Sequence, residues 1–137
     1  MKRNNIAIIG LGSNINPEQN IAFAKKEIGE ICNILKESEF VYTKPLLYSE
    51  QADFLNGALL TSTGLDFYTL RKELKNIEIR LGRIKSKNKN GPRTIDLDVL
   101  IYNDIVTDDD IYQRDFLKDS IAELVPDFSF KINMTRP

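Results

Sequence analysis

The chain has 137 residues, none of which is histidine, and a single cysteine. Because it has no histidine, the protein cannot use a histidine general base, a histidine-dependent catalytic triad or the commonest zinc ligand. One cysteine cannot form an internal disulfide or a thiolate metal site, and we expect Cys32, one helical turn after Ile28, to be a buried, unreactive thiol. Any catalysis must therefore use carboxylates, arginine and lysine side chains, and a metal ion taken from solution.

The sequence also lacks an excess of either charge and any long apolar run. Its 19 lysine and arginine residues balance 20 aspartate and glutamate residues, which favours neither nucleic acid nor an acidic membrane as a partner. No stretch approaches the roughly 20 apolar residues of a membrane span, and the apolar run at 6–11 is too short for a secretion signal. We expect one cytoplasmic domain over residues 1–137 that acts on small molecules, with no nucleic acid, membrane or obligatory protein partner.

Blocks of β-branched residues alternate with helical patterns. Strands are predicted at 6–9, 39–48, 54–61 and 94–102. The first helix is predicted to begin at Pro17, with Asn16 as its cap and Gln19 reaching back to the cap, and to carry the apolar stripe Ile21, Ala24, Ile28, Ile31 and Leu35. The second, capped by Asp66 and ending at Gly82, is predicted to carry the stripe Phe67, Leu70, Leu74, Ile77 and Leu81.

The order of these blocks predicts the fold class. Strand, helix, strand, strand, helix, strand is typical of the α+β, ferredoxin-like split βαβ fold (βαββαβ), with an antiparallel sheet and both helices on one face. A hydrophilic turn at 103–114 and a short apolar helix at 117–125 are predicted to follow.

Two aspartates on the last predicted strand are the strongest candidates for chemistry. Because side chains alternate along a strand, Asp96 and Asp98 are predicted to share one face, while the opposite face packs on the helices through Ile95, Leu97, Val99 and Ile101. Carboxylates about 6 to 7 Å apart repel each other, and one or two hard divalent cations such as Mg²⁺ relieve that repulsion. The alternative is an exposed acidic strand face neutralised by Arg93.

A basic loop comes directly before this strand. Its cationic residues are Arg83, Lys85, Lys87, Lys89 and Arg93. An acidic, metal-binding pair that faces a mobile basic loop is suited to a nucleoside triphosphate, because the cations bridge phosphate oxygens and the basic side chains neutralise charge that develops on transfer. Taken alone, the loop would be interpreted as a solvated basic segment.

Three further patterns have weaker links to function. The segment 10–14 (GLGSN) lacks the third glycine of a dinucleotide fingerprint and the lysine of a P-loop, so we interpret it as a tight turn. The acidic run 108–110 lacks the glycine and glutamate of a calcium loop and is interpreted as a solvated turn. Phe54 and Asn56 would point to one surface, where they could stack on and hydrogen-bond a flat heterocycle, although a core phenylalanine beside an edge amide is the simpler interpretation.

Residues 91–100 (GPRTIDLDVL) resemble the signature of the 6-hydroxymethyl-7,8-dihydropterin pyrophosphokinase family of folate biosynthesis. The segments 9–14 (IGLGSN), 53–56 (DFLN), 77–78 (IE) and 81–83 (LGR) are similar to this family in order and spacing, so the resemblance covers about residues 6–126. It implies a ferredoxin-like fold. It also implies diphosphate transfer from MgATP to the hydroxymethyl oxygen of the dihydropterin, by attack on the β-phosphorus and release of AMP.

The resemblance further implies roles for individual residues. The catalytic set would be Arg83, Arg93, Asp96 and Asp98, in which the two aspartates bind two Mg²⁺ ions and the two arginines grip the phosphates. The nucleotide would lie against Lys75, Glu78, Arg83, Lys85, Arg93, Val99 and Arg114. The pterin would contact Thr43, Pro45, Leu46, Asn56 and Asp96 and would lie between the rings of Phe54 and Phe116.

The chain departs from the family pattern after the metal strand. A Pro-His segment that touches the nucleotide is common there, whereas the stretch 104–116 of this chain is short and contains no histidine. Two other functions therefore stay open at this point: a catalytically impaired pterin-binding homologue, and another metal-dependent nucleotidyltransferase.

Overall fold

The computed structural model describes residues 5–44, 52–82 and 94–126, which form a six-stranded antiparallel sheet and three α-helices. The strands are β1 (Asn5–Ser13), β2 (Asn33–Glu37), β3 (Val41–Thr43), β4 (Phe54–Thr63), β5 (Asp96–Tyr102) and β6 (Ile105–Val106). The helices are α1 (Pro17–Ile31), α2 (Phe67–Arg80) and α3 (Asp115–Leu124), with a 3₁₀ helix at Asp109–Tyr112. The strand order is β2-β4-β1-β5-β6, and β3 pairs with the first residues of β4. The predicted α+β class and antiparallel sheet are confirmed.

The sheet is covered by helices on both faces. Alternate residues of β1 point to opposite sides, so Ile9 packs under α1 and α2 whereas Ile8 packs under α3. The first two helices contribute the buried side chains Ile21, Ala24, Ile28, Leu70, Leu74 and Ile77, next to the buried Cys32. The second core is closed by Leu117, Ile121 and Leu124 of α3. The described helices are too short and too polar to cross a membrane.

The first helix is shorter than predicted. It ends at Ile31, and the chain turns at the extended residue Cys32 into β2, which pairs with β4. Leu35, predicted on the apolar stripe of the helix, therefore lies on β2 and is 49% exposed. Pairing with a distant strand satisfies the backbone of this segment, and local periodicity contains no signal for it. Of the strand predicted at 39–48, only Val41–Thr43 is β3, and residues 45–48 lie outside the described residues.

The N-terminal caps of α1 and α2 differ in whether the side chain of the cap residue makes a hydrogen bond. Asn16 is the N-cap residue of α1 and Pro17 follows it, as predicted, but Asn16 adopts a left-handed conformation and its side chain makes no capping hydrogen bond. The cap of α2 is confirmed, because the carboxylate of Asp66 accepts a hydrogen bond from Thr69 N at 2.8 Å. Gly82 follows the last turn of α2 with φ of 88°, a conformation that favours glycine.

A β-bulge changes the alternation of β5. Ile9 lies opposite Val99 and Ile8 opposite Ile101, so Leu100 is an extra residue on this strand. Ile101 was predicted to pack on the helix face, and this is wrong: the bulge moves it to the α3 face beside Leu100. Before the bulge the alternation holds, and Asp96 and Asp98 lie on the face opposite Leu97, toward α3.

Candidate active site

The two aspartates of β5 open into a cavity of about 340 Å³ between the sheet and α3. Asp96 and Asp98 project to the same side of the strand, as predicted, and both line the cavity. The cavity is also lined by Gly12, Thr43, Phe54, Asn56, Asp108, Asp110, Arg114 and Phe116. The fold therefore brings residues from β1, β3, β4, β5 and α3 to one concave surface.

Side chains, rather than a neighbouring strand, satisfy the outer edge of β5 beside the aspartates. β6 pairs only with Ile101 and Tyr102. At Leu97, between the two aspartates, Glu78 accepts the backbone N–H at 2.7 Å and Lys75 donates to the backbone carbonyl at 3.3 Å. Both side chains belong to α2, so this helix fixes the backbone that carries the acidic pair.

The carboxylate of Asp98 has an unfavourable electrostatic environment. Its pKa is raised to about 7, first by burial and then by the nearby carboxylates of Asp96, Asp108 and Glu78, against the opposing effect of Lys75. The side chain is still 42% exposed, so an ion from solution can reach it. A proton or a cation would relieve the repulsion, which is the electrostatic property expected of a cation-binding carboxylate pair.

One wall of the cavity combines an amide with two aromatic rings. Asn56 Nδ2 donates to Thr43 Oγ1 at 2.6 Å, and Asn56 Oδ1 lies 2.7 Å from the position that a Cβ atom on Gly12 would occupy. Phe54 from β4 and Phe116 from α3 both line the cavity. The prediction that Phe54 and Asn56 share one surface is confirmed, whereas the simpler interpretation of Phe54 as a core residue is wrong.

A second cavity of about 300 Å³ lies on the α2 side of β5. It is lined by Phe67, Arg71, Lys75, Leu97, Asp98, Val99, Thr107, Asp108 and Asp109. Asp98 and Asp108 line both cavities, so the two cavities meet at these carboxylates. A ligand with two ends, one in each cavity, would cross the acidic pair.

The family model of 7,8-dihydro-6-hydroxymethylpterin-pyrophosphokinase (HPPK) matches residues 8–126. The chain belongs to this family. The resemblance predicted over about residues 6–126 is confirmed in family and in extent.

Curated relatives of the HPPK family align along most of the chain. A 2-amino-4-hydroxy-6-hydroxymethyldihydropteridine pyrophosphokinase of Bacillus subtilis is 36% identical over 132 residues, 88% of this chain and 78% of that protein. The protein of the same name from Haemophilus influenzae is 33% identical over 132 residues, covering 88% and 82%. The folic acid synthesis protein FOL1 of Dictyostelium discoideum is 34% identical over 134 residues, but the aligned part is 20% of its length.

The described residues include many of those that the HPPK resemblance implies. Lys75 and Val99 line the second cavity, Glu78 anchors β5, and Arg114 lines the first cavity, where it lies 3.9 Å from Asp110. Five of the implied residues, Pro45, Leu46, Arg83, Lys85 and Arg93, lie outside the described residues.

The sequence prediction missed Asp108. The acidic run was interpreted as a solvated turn, and Asp109 and Asp110 are exposed, but Asp108 is half-buried and lines both cavities. Burial raises its pKa, and the nearby carboxylates of Asp110 and Asp96 raise it further. A tight turn at Asn103 and Asp104, both with positive φ, reverses the chain after β5. That turn was the signal that the following residues return to the acidic strand.

In the part of the chain that the structure describes, no three or more histidine, cysteine, aspartate or glutamate residues form a metal-binding group.

Proposed function

We propose that this chain transfers diphosphate from MgATP to the hydroxymethyl group of 6-hydroxymethyl-7,8-dihydropterin and releases AMP. The observation that carries the proposal is the meeting of two cavities at Asp98 and Asp108. The names of the relatives from Bacillus subtilis and Haemophilus influenzae support the same reaction. The strand order β2-β4-β1-β5, with α1 and α2 against one face, also supports the ferredoxin-like split βαβ topology.

The first cavity suits the dihydropterin. A flat heterocycle would stack between Phe54 and Phe116, and the amide of Asn56 would hydrogen-bond its edge. Thr43 holds that amide through the 2.6 Å hydrogen bond, so the amide is oriented before the substrate binds. This arrangement would place the hydroxymethyl group toward the acidic strand, where Asp96 also lines the cavity.

The acidic pair suits hard divalent cations. Oxygen ligands are those that Mg²⁺ prefers, and Mg²⁺ usually takes only one or two carboxylates and completes its shell with phosphate oxygens and water. Asp96 and Asp98 would supply such a partial shell, and the raised pKa of Asp98, caused first by burial and then by the neighbouring carboxylates, supports a cation at this position. We propose two Mg²⁺ ions here, which would neutralise phosphate charge during transfer.

The second cavity suits the nucleoside. Lys75 and Val99 lie on its wall, as the family resemblance implies, and Arg71 adds a further cation. Arg114 lies on the side of the first cavity and would contact the phosphates that pass between the two cavities. The proposed phosphate contacts of Arg83, Lys85 and Arg93 depend on the family resemblance alone.

The reaction balances without a histidine base. The hydroxymethyl oxygen forms a bond to the β-phosphorus, and the bond from this phosphorus to the oxygen that bridges it to the α-phosphorus breaks. AMP leaves with that electron pair. The hydroxyl proton passes to a carboxylate oxygen of the aspartate pair or to a phosphate oxygen. The chain contributes by holding the two substrates in line across β5.

The test is AMP release from MgATP with and without the dihydropterin, for the wild type, Asp96→Ala and Asp98→Ala. We expect AMP only when the pterin is present, and a loss on the order of 100-fold or more in either variant. Asp119→Ala is the matched control, because Asp119 is exposed on α3 outside both cavities. Pterin binding without AMP release in the wild type would overturn the proposal and indicate a pterin-binding protein.

A further inference from the structure

The ammonium group of Lys75 lies among three oxygen atoms at the edge of β5. Its Nζ atom is 3.3 Å from Glu78 Oε2, 3.3 Å from the carbonyl oxygen of Leu97 and 3.6 Å from Asp98 Oδ1. The first two contacts hold the ammonium in place independently of Asp98. The side chain is 41% exposed and lines the second cavity, so the charge also faces the proposed nucleotide site.

Lys75 offsets part of a strongly negative environment. The carboxylates of Asp96, Asp108 and Glu78 all act on the carboxylate of Asp98. Within the described ranges, Lys75 is the basic residue in ion-pair contact with Asp98. The structure thus places a covalently attached cation beside a carboxylate that is a candidate metal ligand.

We propose that Lys75 makes cation binding at Asp96 and Asp98 depend on the nucleotide. This inference rests on the proposed function, because it requires a triphosphate in the second cavity. The ammonium repels a divalent cation that approaches Asp98 alone. The same ammonium attracts phosphate oxygens, so a cation that arrives with a triphosphate meets less repulsion. Lys75 therefore disfavours the free cation and favours the metal–nucleotide complex, and the coupling acts equally in both directions.

The test compares Lys75→Gln with Lys75→Arg and Lys72→Gln. Glutamine keeps a hydrogen-bond donor for Leu97 but removes the charge, arginine keeps the charge, and Lys72 is an exposed lysine on the same helix that lines neither cavity. Mn²⁺ binding is measured by electron paramagnetic resonance at about pH 8.5, above the pKa of Asp98, so that protons do not compete. Binding of an ATP analogue with a methylene bridge between the α- and β-phosphorus atoms is then measured with Mn²⁺ and with EDTA.

We expect Lys75→Gln to bind Mn²⁺ alone on the order of tenfold more tightly than the wild type, because one nearby unit charge is removed from a partly exposed site. The factor by which Mn²⁺ strengthens analogue binding should fall by a similar amount in Lys75→Gln, because the variant no longer disfavours the free cation relative to the metal–nucleotide complex. An unchanged factor would show that Lys75 repels the cation equally with and without the nucleotide, and would overturn the inference. Lys75→Arg and Lys72→Gln should stay within about twofold of the wild type.

An unchanged Mn²⁺ affinity in Lys75→Gln would overturn the inference, as would an equal gain in Lys72→Gln. The AMP-release assay separates this failure from that of the proposed function. If the wild type releases AMP and Lys75→Gln binds Mn²⁺ with wild-type affinity, the proposed function stands and the role of Lys75 is refuted. If the wild type releases no AMP and binds no analogue, the proposed function is refuted, and so is the proposal that cation binding at Asp96 and Asp98 depends on the nucleotide.

Discussion

The carboxylate of Glu78 accepts a hydrogen bond from the backbone N–H of Leu97 at 2.7 Å. Glu78 is 1% exposed, so a buried acidic side chain of α2 takes the place of a neighbouring strand at this point of β5. Leu97 separates Asp96 from Asp98, and its own side chain is fully buried beneath α1 and α2. The position of the acidic pair therefore depends on a residue that lines neither cavity.

We expect Glu78→Ala to unfold more easily by about 2 to 4 kcal/mol, because it leaves the Leu97 N–H unsatisfied and opens a cavity. Glu78→Gln keeps an acceptor for this N–H and should cost less. Both variants should also bind Mn²⁺ more weakly, since the backbone between the aspartates is less constrained. Urea unfolding and Mn²⁺ titration measure the two effects, with the exposed Glu30→Ala as control. Normal stability of Glu78→Ala would show that the hydrogen bond is unimportant.

The raised pKa of Asp98 predicts how stability depends on pH in the absence of metal. Its value is about 7 in the folded protein against 3.8 as reference. Between about pH 4 and pH 7 the folded state therefore binds more protons at this group than the unfolded state, and the free energy of unfolding falls as pH rises.

We expect Asp98→Asn to remove this contribution. In EDTA, its melting temperature relative to the wild type should increase from about pH 5 to about pH 8, because the wild type alone ionises a partly buried carboxylate over that interval. Thermal melts at several pH values measure the difference, and Asp119→Asn, an exposed aspartate of α3, should follow the wild type. Parallel curves for wild type and Asp98→Asn would refute the raised pKa.

Much of the site was predictable because it depends on local alternation. Asp96 and Asp98 are two residues apart and both precede the bulge, so they share a face of β5. Phe54 and Asn56 are also two residues apart on one strand, and they line one cavity. The packed residues of α1 and α2 follow the helical period equally well. The sequence pattern was enough to predict which side chains share a face wherever that depends on a single strand or helix.

The features that were missed depend on contacts between distant segments. β2 forms because β4 offers it a pairing edge, and Ile101 changes face because a bulge in the register with β1 admits Leu100. Asp108 reaches the acidic strand only through the hairpin that follows β5. The pairing of β2 and the bulge have no signal within the segment itself, whereas the turn at Asn103 and Asp104 indicates the hairpin but not that Asp108 reaches the acidic strand.

Gly12 is required at the floor of the first cavity. A Cβ atom there would lie 2.7 Å from Asn56 Oδ1, and the amide cannot move aside without breaking its 2.6 Å hydrogen bond to Thr43. We expect Gly12→Ala to weaken pterin binding by about 1 to 3 kcal/mol while nucleotide binding changes little. Calorimetric titration with each ligand measures this.

Gly29→Ala is the matched control for that substitution. A Cβ at Gly29 on α1 would meet only Ile34 Cδ1 at 3.9 Å, an ordinary contact. Because alanine is the better helix former, this variant should gain about 0.5 to 1 kcal/mol in stability and keep both affinities. Equal pterin affinity in Gly12→Ala and wild type would refute the proposed position of the amide.

The proposed stacking of the pterin requires both Phe54 and Phe116, which approach the first cavity from β4 and α3. Phe54→Ala and Phe116→Ala should each weaken pterin binding by about 1 kcal/mol or more, with little effect on the nucleotide. If both rings contact one ligand, the double variant should lose a different amount from the sum of the single losses. Phe23→Ala, which removes a 47% exposed ring of α1, is the control and should bind normally. A loss confined to one phenylalanine would show that the pterin stacks on a single ring.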